Sequence, residues 1–369
     1  GLGGLIGVAE EKETPQAEPE IMLELVWEKR FDGGIFDVGF NKDREQLYPT
    51  WIIEGSFYDA KAIYAINDQG EISFAKGLKK LSAARISRNG EFVGVLEPDS
   101  FTKKEAEPVG SVKIYSEQGN VVHKTNQCWG YWFWVSPYGD EIIMTTPWVH
   151  YWFYSSLTDK EVYLDKTLDT KYFFGNNLKI IAWRNSKDVP NLVSVYDTTV
   201  ESHIKGFAIP SASYGYTNYN YFLLPLPEVH KFALSVKNGF IKLYNGNGKL
   251  EKIIDYPVDG RAIFCSQNNR SFHIPLKGTH ILYDIESGTE ILRTEIFPSH
   301  AVVTNNAEFL VLKEDSLYLV SQKEVLGSKF NILQKKNGEE RILLKTNQAG
   351  DKLCIITNYR IVIVDILRK

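Results

Sequence analysis

The side chains able to do acid, base or metal chemistry are plentiful in this sequence but dispersed. Seven histidines (His123, His150, His203, His230, His273, His280 and His300) are scattered along 369 residues, with no pair at the close spacing of a metal-binding motif. A metal site would have to be assembled from distant parts of the chain, so none is assigned and no cofactor is expected. Cys128, Cys265 and Cys354 are far apart and odd in number, and read as small buried hydrophobes. Carboxylates such as Asp68, Glu117, Asp140, Asp159 and Glu286 fall among turn residues, where solvation suits them better than acid–base pairing. Neither a G-x-S-x-G elbow nor a P-loop occurs, and "GLGGLIG" at the start does not fit G-x-G-x-x-G. The expectation is a protein that is not an enzyme.

Aromatic residues are the richer resource. Cys128 to Tyr154 holds eleven aromatics, five of them tryptophan out of eight in the chain. Its runs "CWGYWFWV" and "WVHYWFY" are aromatic at successive positions, whereas a half-exposed strand alternates apolar with polar. Strands buried on both faces are therefore expected, as two strands of one sheet. The residues left for ligand contact are those at loop ends, Trp129, Trp148 and Tyr138. A second aromatic stretch, "SYGYTNYNY", adds Tyr214, Tyr216 and Tyr219, with the Tyr, Ser, Gly and Asn composition of adaptable binding surfaces. Packing of one tyrosine face between sheets is the plainer reading of that stretch.

Composition bounds the partners. A net charge of −4 with no long Lys/Arg cluster argues against a nucleic-acid groove. No apolar run approaches the ~20 residues of a membrane-spanning helix. At the start, "GLGGLIGVA" is small and apolar, and "EEKETPQAEPE" is acidic with two prolines. The first piece reads as the remnant of a secretory apolar region and the second as a spacer, which implies an extracytoplasmic or cell-surface protein. A chain boundary at Gly1 and a cytoplasmic location are the alternative. Residues 1–20 carry too little apolar content to order themselves.

The elements that must position these residues are short strands. Two hairpin types alternate along the chain. One resembles "ARISRNGEFVGVLE", with a Ser or Thr before an Asn/Gly turn, and the other "SVKIYSEQGNVVHK". The last bulky residues before turns of the second type are Ile66, Tyr115, Tyr154, Tyr196, Tyr244, Tyr283, Val320 and Val364, spaced 37 to 49 residues apart. Two hairpins in about 40–45 residues make one four-stranded propeller blade. After Val364 only "DILRK" remains, so the last repeat lacks a strand, and residues 21–31 supply a strand-like segment able to complete it. The pattern resembles the WD40-like and quinoprotein-like β-propeller superfamily over residues 21–369. The resemblance is to an architecture, because the Gly-His and Trp-Asp signatures of WD40 repeats are absent.

The expected fold is all-β, a single propeller of antiparallel four-stranded blades closed by the N-terminal strand. Eight blades are favoured over seven. Residues 1–20 form a tail and 21–369 the propeller. The expected role is structural or protein-interacting, through a protein partner or self-association. Leu2, Leu5, Ile6 and Val8 of the tail would dock into a groove or add a strand to a neighbouring copy. The alternative is a glycan- or peptide-binding module using Trp129, Trp148, Tyr214, Tyr216 and Tyr219 at one mouth of the ring, and a third reading is a propeller-fold enzyme with a polar cluster in the central channel.

Overall fold

The computed structural model describes residues 21 to 368, apart from 42–44, 88, 102–107, 137–138, 140, 146–150, 156–159, 166–169, 175–178, 184–190, 198–201, 210–220, 227–228, 237–239, 257–264, 267, 269, 277, 296–299, 314–315, 323–324 and 330–338. The described strands form eight antiparallel sheets, each built almost wholly from consecutive strands. Sheet 1 contains Ile35–Phe40, Pro49–Ser56, Asp59–Ile66 and Ile72–Gly77. Sheet 2 contains Ala83–Ile86, Phe92–Leu96, Pro108–Ser116 and Val121–Trp129, with a short extra strand Ser100–Phe101. Sheets 3, 4 and 5 span residues 132–165, 170–209 and 221–254. Sheet 6 shows three strands, Ser271–Leu276, Thr279–Asp284 and Thr289–Thr294. Sheet 7 spans 300–329. Sheet 8 joins Arg341–Thr346, Lys352–Thr357 and Arg360–Arg368 to the first described strand, Ile21–Arg30.

That last pairing joins the first and last described strands. Ile21 lies opposite Arg368 and Arg30 opposite Arg360, with one register shift at Leu25/Trp27. A buried ion network reinforces the seam. Arg360 Nη2 lies 2.9 Å from Glu339 Oε2, and Arg30 Nη2 lies 3.5 Å from Glu339 Oε1. Trp27 Nε1 donates to the Asp68 carbonyl at 3.2 Å, reaching from sheet 8 to sheet 1.

The core lies between the sheets, and the two-residue period of a strand decides which neighbour each side chain meets. In sheet 1, Ile52 packs toward Cys354, Ile356, Ile361 and Ile363 of sheet 8. Its neighbours Trp51 and Ile53 turn the other way, toward Val93, Val95 and Tyr115 of sheet 2. In sheet 7, Leu310 and Leu312 face Leu353 and Val364 of sheet 8, while Phe309 and Val311 face Leu282 of sheet 6. Each fully buried large side chain contributes about 1.5–3 kcal/mol. Near-continuous apolar strands are what such face-to-face stacking requires. Cys354 is one of these core residues, and burial raises its thiol pKa far above the ordinary value. Cys265 is only half-buried.

One sequence expectation needs correction. "CWGYWFWV" is not one strand, and the aromatic stretch does not belong to one sheet. Val121–Trp129 is the outer strand of sheet 2, and Trp132–Val135 is the inner strand of sheet 3. Gly130 separates them at φ 91°, with its N–H bonded to the Pro108 carbonyl. A glycine is the residue that takes this left-handed turn without strain.

The alternating turns organise one edge of the stack. In the first hairpin of sheet 2, Ser87 Oγ accepts the Phe92 N–H at 3.0 Å and donates to Asn89 Oδ1. Ser266 and Asn268 repeat this arrangement in sheet 6. Gly90, at φ 74°, closes the sheet 2 turn so tightly that a Cβ there would fall on the Phe40 carbonyl of sheet 1.

Candidate functional site

Three inner strands, one from each of sheets 1, 2 and 3, come together around a single buried cation. Ala83–Ile86 reads as an apolar strand, yet its third residue is Arg85, which is 9% exposed. Burying a guanidinium is costly unless its donors find acceptors. Arg85 Nη1 donates to the Ala84 carbonyl at 2.6 Å, and Nη2 donates to the Tyr131 carbonyl at 2.7 Å. The guanidinium carbon lies 3.7 Å from the centroid of the Phe57 ring, and 5.6–5.9 Å from those of Phe133 and Phe36. A cation over an aromatic face gains electrostatic stabilisation that grows as water is excluded. Asp37, on the inner strand of sheet 1, supplies the nearby opposite charge.

The two charges respond to burial in opposite senses. Burial lowers the Arg85 pKa to about 10, against the attraction of Asp37 and then Tyr58. Arg85 therefore stays protonated at neutral pH. Burial raises the Asp37 pKa, offset by the Val38 N–H bonded to its Oδ1 at 2.9 Å and by Arg85.

Above the cation the surface is aromatic. Phe57 and Tyr58 sit in the turn between Pro49–Ser56 and Asp59–Ile66, and Tyr131 immediately precedes the inner strand of sheet 3. Tyr58 is 53% exposed. It packs edge-on against Tyr131, with ring centroids 5.2 Å apart and planes at 90°, and edge-on against Phe57 at 4.9 Å. Phe36 meets Phe57 at 6.0 Å, also edge-on. The result is an aromatic platform packed from beneath on Arg85. Asp59 fixes its border by accepting the Leu81 N–H at 2.7 Å.

Of the residues singled out from sequence, Trp148, Tyr138, Tyr214, Tyr216 and Tyr219 lie outside the described residues, as do Leu2, Leu5, Ile6 and Val8 of the tail. Trp129 ends the outer strand of sheet 2, its backbone opposite Val109. Sequence reasoning missed Phe36, Phe57, Tyr58 and Arg85. Two signals were present: an arginine inside the apolar run "AARI", and two aromatics in the turn "GSFYD", where polar residues are usual.

Two of the dispersed histidines meet in the fold. The hairpin turn after Leu276 brings His273 and His280 onto one face of sheet 6, with His273 Nε2 2.8 Å from His280 Nδ1. Both are buried, and His273 stands edge-on to Phe309 of sheet 7 at 5.5 Å. Among the described residues no group of three or more His, Cys, Asp and Glu side chains gathers as a metal site.

Comparison with solved structures places this geometry in a fold. The C-terminal WD40 domain of Sif2 superposes with a TM-score of 0.55 at 10% identity, covering 93% of this chain and 98% of that one. BamB from Moraxella catarrhalis gives 0.57 at 10% identity, with the same coverage of 93% and 98%. The chain has a β-propeller fold similar to these two. A structure of the eukaryotic initiation factor matches the propeller at 0.55 and 9% identity, over 87% of this chain and 81% of that one. No family model and no curated protein matches the sequence. The inner strands bearing Phe36, Arg85 and Phe133 are thus the first strands of three successive blades. No helix among the described residues is long and apolar enough to cross a membrane.

Proposed function

We propose that this propeller is a non-enzymatic protein-interaction module whose docking face is the aromatic platform above Arg85. A propeller fold is consistent with such a module. The observation that carries the reading is Tyr58, a large ring 53% exposed yet fixed edge-on by both Tyr131 and Phe57. An exposed tyrosine packed on aromatic neighbours over a desolvated arginine has the composition of an interaction hot spot, because such a ring buries much area and loses little entropy. The partner is a protein segment presenting an apolar or aromatic side chain, with a hydrogen-bond donor for Asp37.

The eight sheets and the pairing of Ile21–Arg30 with Arg360–Arg368 support an eight-bladed ring fastened by its first strand. The composition of residues 1–20 supports an extracytoplasmic placement, with Leu2, Leu5, Ile6 and Val8 as a second, self-associating element.

Selection of random peptides displayed on phage against the full chain tests the docking face. Peptides enriched on the wild type are expected to bind Tyr58→Ala at least ~10-fold more weakly, the effect of losing a hot-spot tyrosine. They should bind Phe240→Ala normally, since Phe240 is similarly exposed but belongs to sheet 5, immediately before Ile241–Asn245. Equal binding to wild type and Tyr58→Ala would place the docking surface elsewhere.

A further inference from the structure

The turn that bears Tyr58 is bordered by lysines. Lys61, just beyond it, is the extra residue of a β-bulge. Ala60 lies opposite Gly55 and Ala62 opposite Glu54, so Lys61 has no counterpart across the ladder. A bulge re-aims the side chain of its extra residue, and Lys61 is exposed.

The segment 78–82, which leads from sheet 1 to sheet 2, is bonded alongside. The Leu78 N–H donates to the Lys61 carbonyl at 2.8 Å, and the Ala60 N–H to the Ser82 carbonyl at 2.8 Å. The Leu81 N–H donates to Asp59 Oδ1 at 2.7 Å. Together they hold Leu81 at φ 61°, a left-handed conformation that strains a residue with a side chain. Such strain persists only where surrounding bonds over-determine it. Here it sets Lys79 and Lys80 at the exposed tip of the turn, which the Ser82 N–H closes onto the Lys79 carbonyl at 3.2 Å.

The carboxylates of this corner are committed. Asp59 accepts from Leu81, and Asp99 lies 3.9 Å from Lys79. Glu97 lies 3.2 Å from Lys76 and 4.0 Å from Lys113. Among the described residues Lys61 and Lys80 make no ion pair. A chain of net charge −4 thus offers unpaired positive charge on either side of an exposed tyrosine. The complement is negative charge around an apolar anchor. Nucleic acid could also use rings and lysines, but its continuous phosphate backbone would have to pass Asp59 and Asp99. A peptide can place its carboxylates at the lysines alone.

We propose that the partner segment docking at Tyr58 is acidic, with Asp or Glu residues flanking its apolar or aromatic anchor and meeting Lys61 and Lys80. This rests on the docking face described under the proposed function and names its partner's chemistry.

Sequencing the peptides that the full chain selects from a random phage library tests it, because the library itself favours no charge. Asp and Glu are expected to be enriched within a few residues of the anchor. Affinity for the selected peptides, read by fluorescence anisotropy, should fall about fivefold in the double variant Lys61→Ser, Lys80→Ser, the effect of losing two exposed charge pairs. It should fall by a similar factor as salt rises from about 50 to about 500 mM, because exposed pairs are screened. Both lysines are exposed, so the fold is kept. Lys249→Ser, at an exposed lysine before Leu250–Ile254 of sheet 5, should change nothing. Peptides that need Tyr58 but are neutral or basic, or that bind the double variant as tightly as the wild type, would overturn the acidic partner and leave the docking face standing. Peptides indifferent to Tyr58→Ala would overturn both. Lysine-dependent binding of an oligothymidylate, tighter than that of any selected peptide, would overturn the proposal in favour of nucleic acid.

Discussion

Two basic clusters lie between neighbouring blades, and they hold opposite charge states. Around Arg85 the surroundings accept a cation: three backbone carbonyls, the face of Phe57 and the Asp37 carboxylate. Around His273 they do not. Its Nε2 faces a second histidine, and Phe309 stands edge-on against its ring. Burial first, and His280 second, push the His273 pKa down to about 3. Similar burial thus gives a retained charge in one joint and an excluded charge in the other. The partners decide which, because desolvation penalises both cations alike. The first cluster supports an open aromatic face, whereas the second is a closed seam.

The largest expected effect comes from emptying the charged joint. Arg85→Met leaves the Ala84 and Tyr131 carbonyls and Asp37 without their cation, and should cost about 3–5 kcal/mol in urea unfolding. A loss below about 1 kcal/mol would mean that the arginine is dispensable glue, and the contrast between the joints would collapse.

The neutral joint is broken by acid instead. The folded His273 pKa lies below its unfolded value, so the unfolded chain takes up the proton first as pH falls. Stability should be full above the ordinary imidazole pKa of about 6.5 and fall below it, by up to about 1.4 kcal/mol per pH unit. The double variant His273→Leu, His280→Leu should flatten that slope between pH 6.5 and 4.5. Parallel slopes for wild type and variant would show that the pair is solvated.

A smaller effect is expected at the asparagine turns. Asn347→Ala removes bonds from its side chain to Glu45, Asp351 and Lys352, and should cost about 1–2 kcal/mol by thermal melting. Smallest of all, Tyr58→Ala should change stability by less than about 0.5 kcal/mol, since the ring is largely exposed. A greater loss would make Tyr58 part of the joint and remove it from the docking surface.

The repeats were legible because each is a local device. A Ser or Thr, then Asn and Gly, closes a hairpin within six residues, as Ser87 to Phe92 does. The all-β fold and its four-stranded sheets followed from that punctuation. The His273–His280 pair was not legible, since seven residues of separation become 2.8 Å only in one hairpin register. Nor was the split of the aromatic stretch, where Gly130 ends one sheet before Trp132 opens the next. The platform was hidden for a further reason. Phe36, Phe57, Arg85 and Tyr131 come from three sheets, and only the stacking of blades makes them neighbours. The charged residue in "AARI" was a clue that gains meaning only beside the aromatics it touches.

The most direct test of an open charged joint against a closed neutral one is a titration of a phage-selected peptide into the full chain, followed by aromatic carbon–proton NMR. The account predicts that the Tyr58 and Tyr131 ring signals move on binding while those of His273 and His280 stay in place. Movement of the histidine signals with Tyr58 and Tyr131 unchanged would contradict it.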